Sequence, residues 1–218
     1  MITISATIKK NDGTFITIDK KNLLSIETSI FERQNISNPS WGIISNSGNV
    51  KFIDIDGSIK TLANNQQLKI GMPLEIFLKN TITDYSQSVG SFFTKSWNYD
   101  DATKEVNLSF SDELLSWQEN IINSINYDTS QSSLSQYLNG EEIYNRILYE
   151  MQRTGYDINK FDEIDEETRN RLKLFKMPFF YIEAQSWWRV WTYFCYALQL
   201  HIYLNNNGKI VVKYNGGN

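Results

Sequence analysis

The chain contains few of the side chains that carry out nucleophilic, acid–base or metal chemistry. Among its 218 residues there is one cysteine, Cys195, and one histidine, His201. A zinc-type site needs several Cys, His or carboxylate ligands at close spacing, and an internal disulfide needs two cysteines. We therefore predict no metal site, no disulfide, no cofactor and no catalytic residue.

The two single residues also occupy positions that favour a structural role. Cys195 lies in a strongly apolar helical segment, where a thiol is an inert core residue, because reactive thiols need an exposed electropositive setting. His201 follows that segment at the start of a predicted strand. A general base would need a nucleophile and an orienting partner, and the sequence indicates neither.

The carboxylates of Asp54 and Asp56, followed by Gly57, suggest calcium binding or paired acid catalysis. The run lacks the third ligand position and the downstream Glu of an EF-hand loop, so we predict a hairpin turn here. Glycoside hydrolysis needs two facing carboxylates. No pair is distinguished among the 25 acidic residues, so this reaction is a weaker alternative.

In the first 110 residues, apolar and polar residues mostly alternate, which is the pattern of half-buried strands. Turn signals at roughly regular intervals separate these runs. They include Asn11-Asp12-Gly13, Asn46-Ser47-Gly48, Asp56-Gly57 and Gly71-Met72-Pro73. This pattern predicts an antiparallel β domain of six to eight strands.

After residue 110 the apolar residues recur at helical spacing. Ser111-Asp112-Glu113 can cap a short helix. Asn139 and Ser186 are predicted N-caps of two longer helices, and another helical segment is predicted to follow Asp165. The Ser/Asn/Gln-rich stretch 123–136 is typical of an exposed connection. Residues 201–204 and 210–214 are predicted to form a β-hairpin.

These patterns predict an α+β protein in three parts. Residues 1–118 form an antiparallel β domain of barrel or sandwich type, 119–136 a connection, and 137–218 a smaller helix-rich module with a β-hairpin. The net charge of −4 comes entirely from the residues after 110. It provides no basic surface for nucleic acid. The sequence shows no export signal and no apolar run free of polar residues long enough to span a membrane, so we expect a soluble protein made inside a cell.

The predicted helix that begins at Trp187 is apolar on several faces. Trp187, Val190 and Trp191 lie on one face, while Trp188 and Tyr196 lie on others. Such a helix is most often buried in the centre of its domain. The alternatives are an assembly interface, where Trp and Tyr are favoured, and an aromatic platform for a ligand.

The order of these features resembles that of bacteriophage tail-hub and tail-tip proteins. In the first half the resemblance rests on Trp41-Gly42-Ile43-Ile44, Asp56-Gly57, Gly71-Met72-Pro73 and the runs 89–93 and 106–112. In the second half it rests on the run 142–148, Pro178, Ser186-Trp187-Trp188 and the hairpin turn Asn207-Gly208-Lys209.

This resemblance implies a structural protein of the virion tail, made in the host cytoplasm. Copies would form a homo-oligomeric ring that closes the tail tube or joins it to baseplate, knob or fibre proteins. As interface residues we predict Phe31, Trp41, Tyr85, Trp188 and Tyr196. The first three lie in or beside the segments 31–41 and 81–91, which are longer than a tight hairpin needs.

Two alternatives stay open at this point. A carbohydrate-binding module or a tail-associated glycan hydrolase is one, and it predicts exposed aromatic rings beside a carboxylate in a cleft. Trp41 and Trp97, which lie among the predicted turns of the β domain, are its candidate rings. A cellular β-plus-α interaction domain without a viral context is the other.

Overall fold

The computed structural model describes most of the chain. It covers residues 2–10, 12–32, 42–65, 68–80, 82–83, 85–119, 122, 125–127, 138–177, 180–182, 184–205 and 207–214. The chain divides into two compact units. Unit 1 comprises Met1–Phe31 and Ser45–Leu115, and unit 2 comprises Glu32–Ile44 and Ser116–Asn218. Strands and helices are both well represented, so the predicted α+β class is confirmed.

Unit 1 is built mainly from strands. Its elements are β1 (Ile2–Lys9), β2 (Phe15–Ile18), β3 (Leu23–Glu32), β4 (Gly42–Ile53), α1 (Ser58–Asn64), β5 (Pro73–Asn80), β6 (Tyr85–Asp100), β7 (Glu105–Ser111) and α2 (Glu113–Ser116). Strand β3 ends, and β4 begins, in the segment assigned to unit 2. The predicted count of six to eight strands before residue 110 is confirmed.

The strands of unit 1 pair in the order β4-β7-β6-β5-β1-β2, with β3 on the other side of β4. Neighbours along this path are antiparallel. In the part of the chain that the structure describes, no pairing joins β2 to β3, so the sheet is open. One side-chain cluster from strands β1 to β7 and helix α1 forms the core of unit 1, with members such as Ile8, Phe52, Leu74, Leu108 and Phe110.

One turn and one hairpin expected from the sequence are wrong. Asn46-Ser47-Gly48 lies inside the continuous strand β4. Asp54 to Gly57 leads into helix α1 rather than a hairpin, because the Asp54 carboxylate accepts the backbone N–H groups of Ile59 at 3.1 Å and Lys60 at 2.9 Å. These bonds satisfy donors that a helix start leaves free.

Unit 2 combines helices with short strand pairs. Its elements are β8 (Ile125–Tyr127), β9 (Leu138–Asn139), α3 (Gly140–Arg153), a 3₁₀ turn (Ile158–Lys160), α4 (Glu166–Leu174), β10 (Lys176–Met177), β11 (Phe180–Ile182), α5 (Trp187–Leu198), β12 (Leu200–Leu204) and β13 (Ile210–Tyr214). Antiparallel pairs form between β9 and β10, β8 and β11, and β12 and β13. The start of β4 pairs with β12 in parallel, Ile43 opposite Ile202.

The predicted helix starts in unit 2 are confirmed by their caps. The side chain of Asn139 accepts the Glu142 N–H at 3.0 Å, and Glu142 returns a bond to the Asn139 N–H, which completes a capping box. Asp165 accepts the N–H of Thr168 at 2.7 Å, and Ser186 caps α5. The predicted hairpin is confirmed as β12 and β13, whereas part of the expected exposed connection forms strand β8.

Trp191 of α5 lies at the centre of the unit 2 core. Its ring stacks on Trp117 at 6.1 Å and on Phe161 at 5.6 Å, and it meets Phe194 edge-on at 5.6 Å. Its Nε1–H lies 3.1 Å from the sulfur of Met151. Buried aromatic contacts of this kind add to the free energy gained from area burial.

Candidate interaction surfaces

The five residues predicted to form interfaces lie in different parts of the chain. Trp41 lies outside the described residues, and Phe31 is the next-to-last residue of β3. Tyr85 begins β6, so residues 85–91, which were expected to form part of a loop, are a strand. Trp188 and Tyr196 both belong to α5. Only these last two therefore share one element.

Helix α5 has a buried side and an exposed aromatic side. Trp187, Val190, Trp191, Phe194, Cys195 and Leu198 are buried. On the other side Tyr193 is 53% exposed, Tyr196 is 47% exposed and Trp188 is half-buried. The Arg189 Nε–H donates to the Tyr193 hydroxyl at 2.9 Å, and its guanidinium lies 5.4 Å from the ring centre. We call Trp188, Arg189, Tyr193 and Tyr196 the α5 face.

A second arginine–tyrosine arrangement lies on α3. The Tyr149 ring is exposed, with Arg146 at 5.1 Å and Arg153 at 6.0 Å from its centre. Both arginines also pair with the buried carboxylate of Glu150, at 2.7 and 2.9 Å. Glu150 therefore holds both guanidinium groups beside the same exposed ring.

The third surface lies at one end of the unit 1 sheet. There the face of the sheet that carries the core residues extends beyond the buried part of the core. Ala6 and Ile8 on β1 are fully buried, but Ile2 is 71% and Ile4 is 39% exposed. Register places Ile4 opposite Leu78. Tyr85 lies opposite Asn80, which itself pairs with Ile2.

Opposite residues of antiparallel strands project to the same side of a sheet, and so do alternate residues of one strand. The four side chains therefore extend the apolar side of the sheet beyond the buried core. We call Ile2, Ile4, Leu78 and Tyr85 the sheet end. Tyr85 was predicted as an interface residue from loop length, whereas Ile2, Ile4 and Leu78 were missed, because alternation does not reveal where a core stops.

The single cysteine and the single histidine lie on different elements, Cys195 on α5 and His201 on β12. Cys195 is fully buried, and desolvation raises the pKa of its thiol far above the ordinary value. His201 lies on β12 opposite Lys213. Within the described ranges, no group of three or more His, Cys, Asp or Glu side chains is placed to hold a metal ion. No helix in the same ranges is long and apolar enough to span a membrane.

The carbohydrate-binding alternative gains no support from Trp97. This side chain is partly buried and packs against the core of unit 1. Trp41, the other tryptophan in that prediction, lies outside the described residues.

Comparison with solved structures gives matches over nearly the whole chain. The tail protein from Neisseria meningitidis MC58 matches with a TM-score of 0.53 and 12% identity, over 96% of this chain and 50% of that one. The 43 kDa tail protein of prophage MuSo2 from Shewanella oneidensis matches with a TM-score of 0.53 and 10% identity, over 99% of this chain and 56% of that one. This chain shares its fold with these tail proteins. The resemblance seen in the sequence is thus confirmed at the level of the fold.

This chain spans about half of the length of each of the two tail proteins. No protein-family model and no curated protein matches the sequence. At 10–12% identity the likeness concerns the fold alone, because one fold serves many functions.

Proposed function

We propose that this chain is a structural component of a phage tail, and that copies of it form a closed ring at the tail hub or tail tip of the virion. The observation that carries the proposal is the fold shared with two tail proteins over 96% and 99% of this chain. The role is structural rather than catalytic, and other tail proteins are its partners.

The sheet end supports contact between copies. A ring forms when a surface on one copy binds a different surface on the next, and the rotation closes. Full burial of a side chain such as Ile or Leu contributes about 1.5–3 kcal/mol. Ile2, Ile4, Leu78 and Tyr85 extend a sheet whose backbone is already fixed, so their burial costs little additional ordering.

The α5 face supports contact with a different tail protein. Trp, Tyr and Arg are the side chains enriched at positions that contribute most to binding. The bond from Arg189 to Tyr193 holds two of these side chains in one orientation before a partner arrives. A surface ordered in advance loses less conformational entropy on binding.

Light scattering after size-exclusion chromatography, together with particle images, tests the ring. We expect a discrete homo-oligomer with rotational symmetry, and a shift to monomer in the double variant Ile4→Ser, Leu78→Ser. The matched control is Tyr193→Ser, Tyr196→Ser, which changes two exposed side chains of the α5 face and is expected to keep the ring. A wild-type chain that stays monomeric at high concentration, or a ring that persists in the sheet-end variant, contradicts the proposal.

A cell-wall turnover assay tests the structural role separately. We expect the purified ring to release no glycan fragments above buffer. Release of glycan fragments that rises with protein concentration would instead support the alternative that the chain is a tail-associated glycan hydrolase.

A further inference from the structure

Among the residues that the structure describes, no strand pairs with the outer edge of β2. β2 pairs with β1 on one side, with Phe15 opposite Lys9 and Thr17 opposite Thr7, and it ends the strand order of unit 1. Its sequence Phe-Ile-Thr-Ile contains no charged residue and no proline, which are two of the features with which natural proteins protect such an edge.

The hairpin geometry shows which backbone groups face outward. The Lys10 N–H donates to the Thr14 carbonyl at 2.8 Å, so Lys10 and Thr14 form a hydrogen-bonded pair. Hydrogen-bonded and non-hydrogen-bonded pairs alternate along an antiparallel ladder. Phe15 and Thr17 therefore direct their N–H and C=O groups away from β1, toward the free edge.

A cleft of about 740 Å³ lies beside this edge, within the range of ligand-binding clefts. The side chains of Phe15 and Ile55 line it and are 61% and 60% exposed. Asp54 and Asp56 line the opposite wall, where their carboxylates accept backbone N–H groups at the start of α1. The cleft thus combines apolar side chains with free backbone donors and acceptors.

Both ends of β2 carry a positive charge excess. Lys9 and Lys10 precede it, Lys20 and Lys21 follow it, and Asp12 and Asp19 are the acidic residues among them. The Lys10 ammonium lies 3.8 Å from the Asp12 carboxylate, which leaves Lys9, Lys20 and Lys21 to provide the excess. Asp12 accepts bonds from the N–H and hydroxyl of Thr14, and Asp19 accepts the N–H of Lys21. Parallel pairing of β2 with β2 of a second copy would bring Lys20 and Lys21 against the same two lysines, which disfavours that form of self-association.

We propose that the β2 edge binds an extended segment of a partner polypeptide, which adds as a strand and carries acidic residues on both sides of an alternating apolar core. Backbone hydrogen bonds to Phe15 and Thr17 give affinity, as in other cases of strand addition. Contact with Phe15 and Ile55 favours apolar side chains, and the flanking lysines favour acidic ends. This binding is independent of the ring, which uses the sheet end.

The test uses the full chain and a fluorescent synthetic peptide in which valine alternates with threonine between acidic pairs at both ends. We expect saturable binding at low salt, with slower hydrogen exchange at the Phe15 and Thr17 amides. Thr17→Pro removes an outward N–H at a position where an edge strand tolerates proline, and it should weaken binding by about tenfold. The control Thr17→Val keeps the N–H and should bind within about twofold of wild type.

A second part of the experiment tests whether binding depends on the charge at the ends of the peptide. The same peptide with lysine pairs at its ends should not bind wild type, but it should bind the double variant Lys20→Glu, Lys21→Glu better than the acidic peptide does. The proposal is overturned if both peptides bind wild type equally, if Thr17→Pro binds like Thr17→Val, or if β2 pairs with a second copy instead.

Discussion

The hydroxyl of Ser45 donates a hydrogen bond of 2.5 Å to the Asp112 carboxylate, although 67 residues separate the two in sequence. Asp112 also accepts the Asn46 N–H at 2.6 Å and the Leu115 N–H at 3.3 Å. Ser45 and Asp112 are both buried. One carboxylate thus joins β4 to the start of α2.

Replacing Asp112 with Ala should lower the free energy of unfolding by about 2–4 kcal/mol, because buried donors lose their acceptor. Ser45→Ala should cost about 1–3 kcal/mol. The control is Ser109→Ala, which breaks an exposed 2.6 Å bond between the hydroxyls of Ser96 and Ser109 and should stay within about 0.5 kcal/mol. Urea unfolding measures all three, and equal losses for Ser45→Ala and Ser109→Ala would contradict the assignment.

The contribution of Asp112 to the free energy of unfolding should fall as pH rises. Desolvation raises the pKa of Asp112 above its ordinary 3.8, despite the hydrogen bonds that oppose the shift. Between pH 3.8 and the raised pKa the folded state holds more protons than the unfolded state, so this group's contribution to stability falls through that window.

Asp112→Asn isolates this effect, because its side chain does not titrate. The unfolding free energy of Asp112→Asn minus that of wild type should increase as pH rises from about 3 through the window, and then level off. The subtraction is needed because Asp12 and Asp165 have lowered pKa values and act in the opposite direction. A difference that stays constant or falls with pH would show that the folded-state pKa is not raised.

The contrast between Asn139 and Gly48 shows what the sequence could predict. The Asn139 cap was predictable because its partner Glu142 lies three residues away, so the signal is local. Gly48 resembled a turn residue, yet it lies inside β4, where a side chain would overlap the Glu27 carbonyl oxygen of β3. That reason depends on Glu27, which lies 21 residues earlier in the sequence. The Ser45–Asp112 bond and the exposure of Ile2 also depend on contacts between residues far apart in the sequence, so no local sequence pattern predicts them.

Gly48→Ala should therefore destabilise unit 1. The added methyl group would overlap the Glu27 carbonyl oxygen and lie 2.7 Å from the Phe110 ring, so β3 or the core must move, at a cost of about 1–3 kcal/mol or more. In the control Gly90→Ala the nearest atoms belong only to the end of the Phe92 ring, at 2.9 Å, and a smaller loss is expected. Thermal unfolding compares the two, and a larger loss in Gly90→Ala would contradict the close approach of β3 to β4.

Truncation of Trp191 should destabilise unit 2 far more than truncation of Trp188 on the same helix. Trp191 is fully buried among aromatic rings, so Trp191→Ala should cost about 3–5 kcal/mol, whereas Trp188 is half-buried and Trp188→Ala should cost less than half of that. Denaturant unfolding followed by near-UV circular dichroism reports on the packing of the rings. Equal losses would show that the two sides of α5 are buried alike.

Cys195 supplies a chemical probe of unit 2 opening. Its thiol is fully buried and its pKa is strongly raised by desolvation, so the thiolate that reacts with disulfide reagents is scarce in the folded protein. We expect one thiol to react within seconds in concentrated guanidinium and to react very slowly without it. If exposure requires unfolding of α5, Trp191→Phe should accelerate labelling of the native protein in proportion to its lost stability, and Tyr196→Phe should not. Rapid labelling of the wild-type protein without guanidinium would show that α5 opens locally, without a loss of stability.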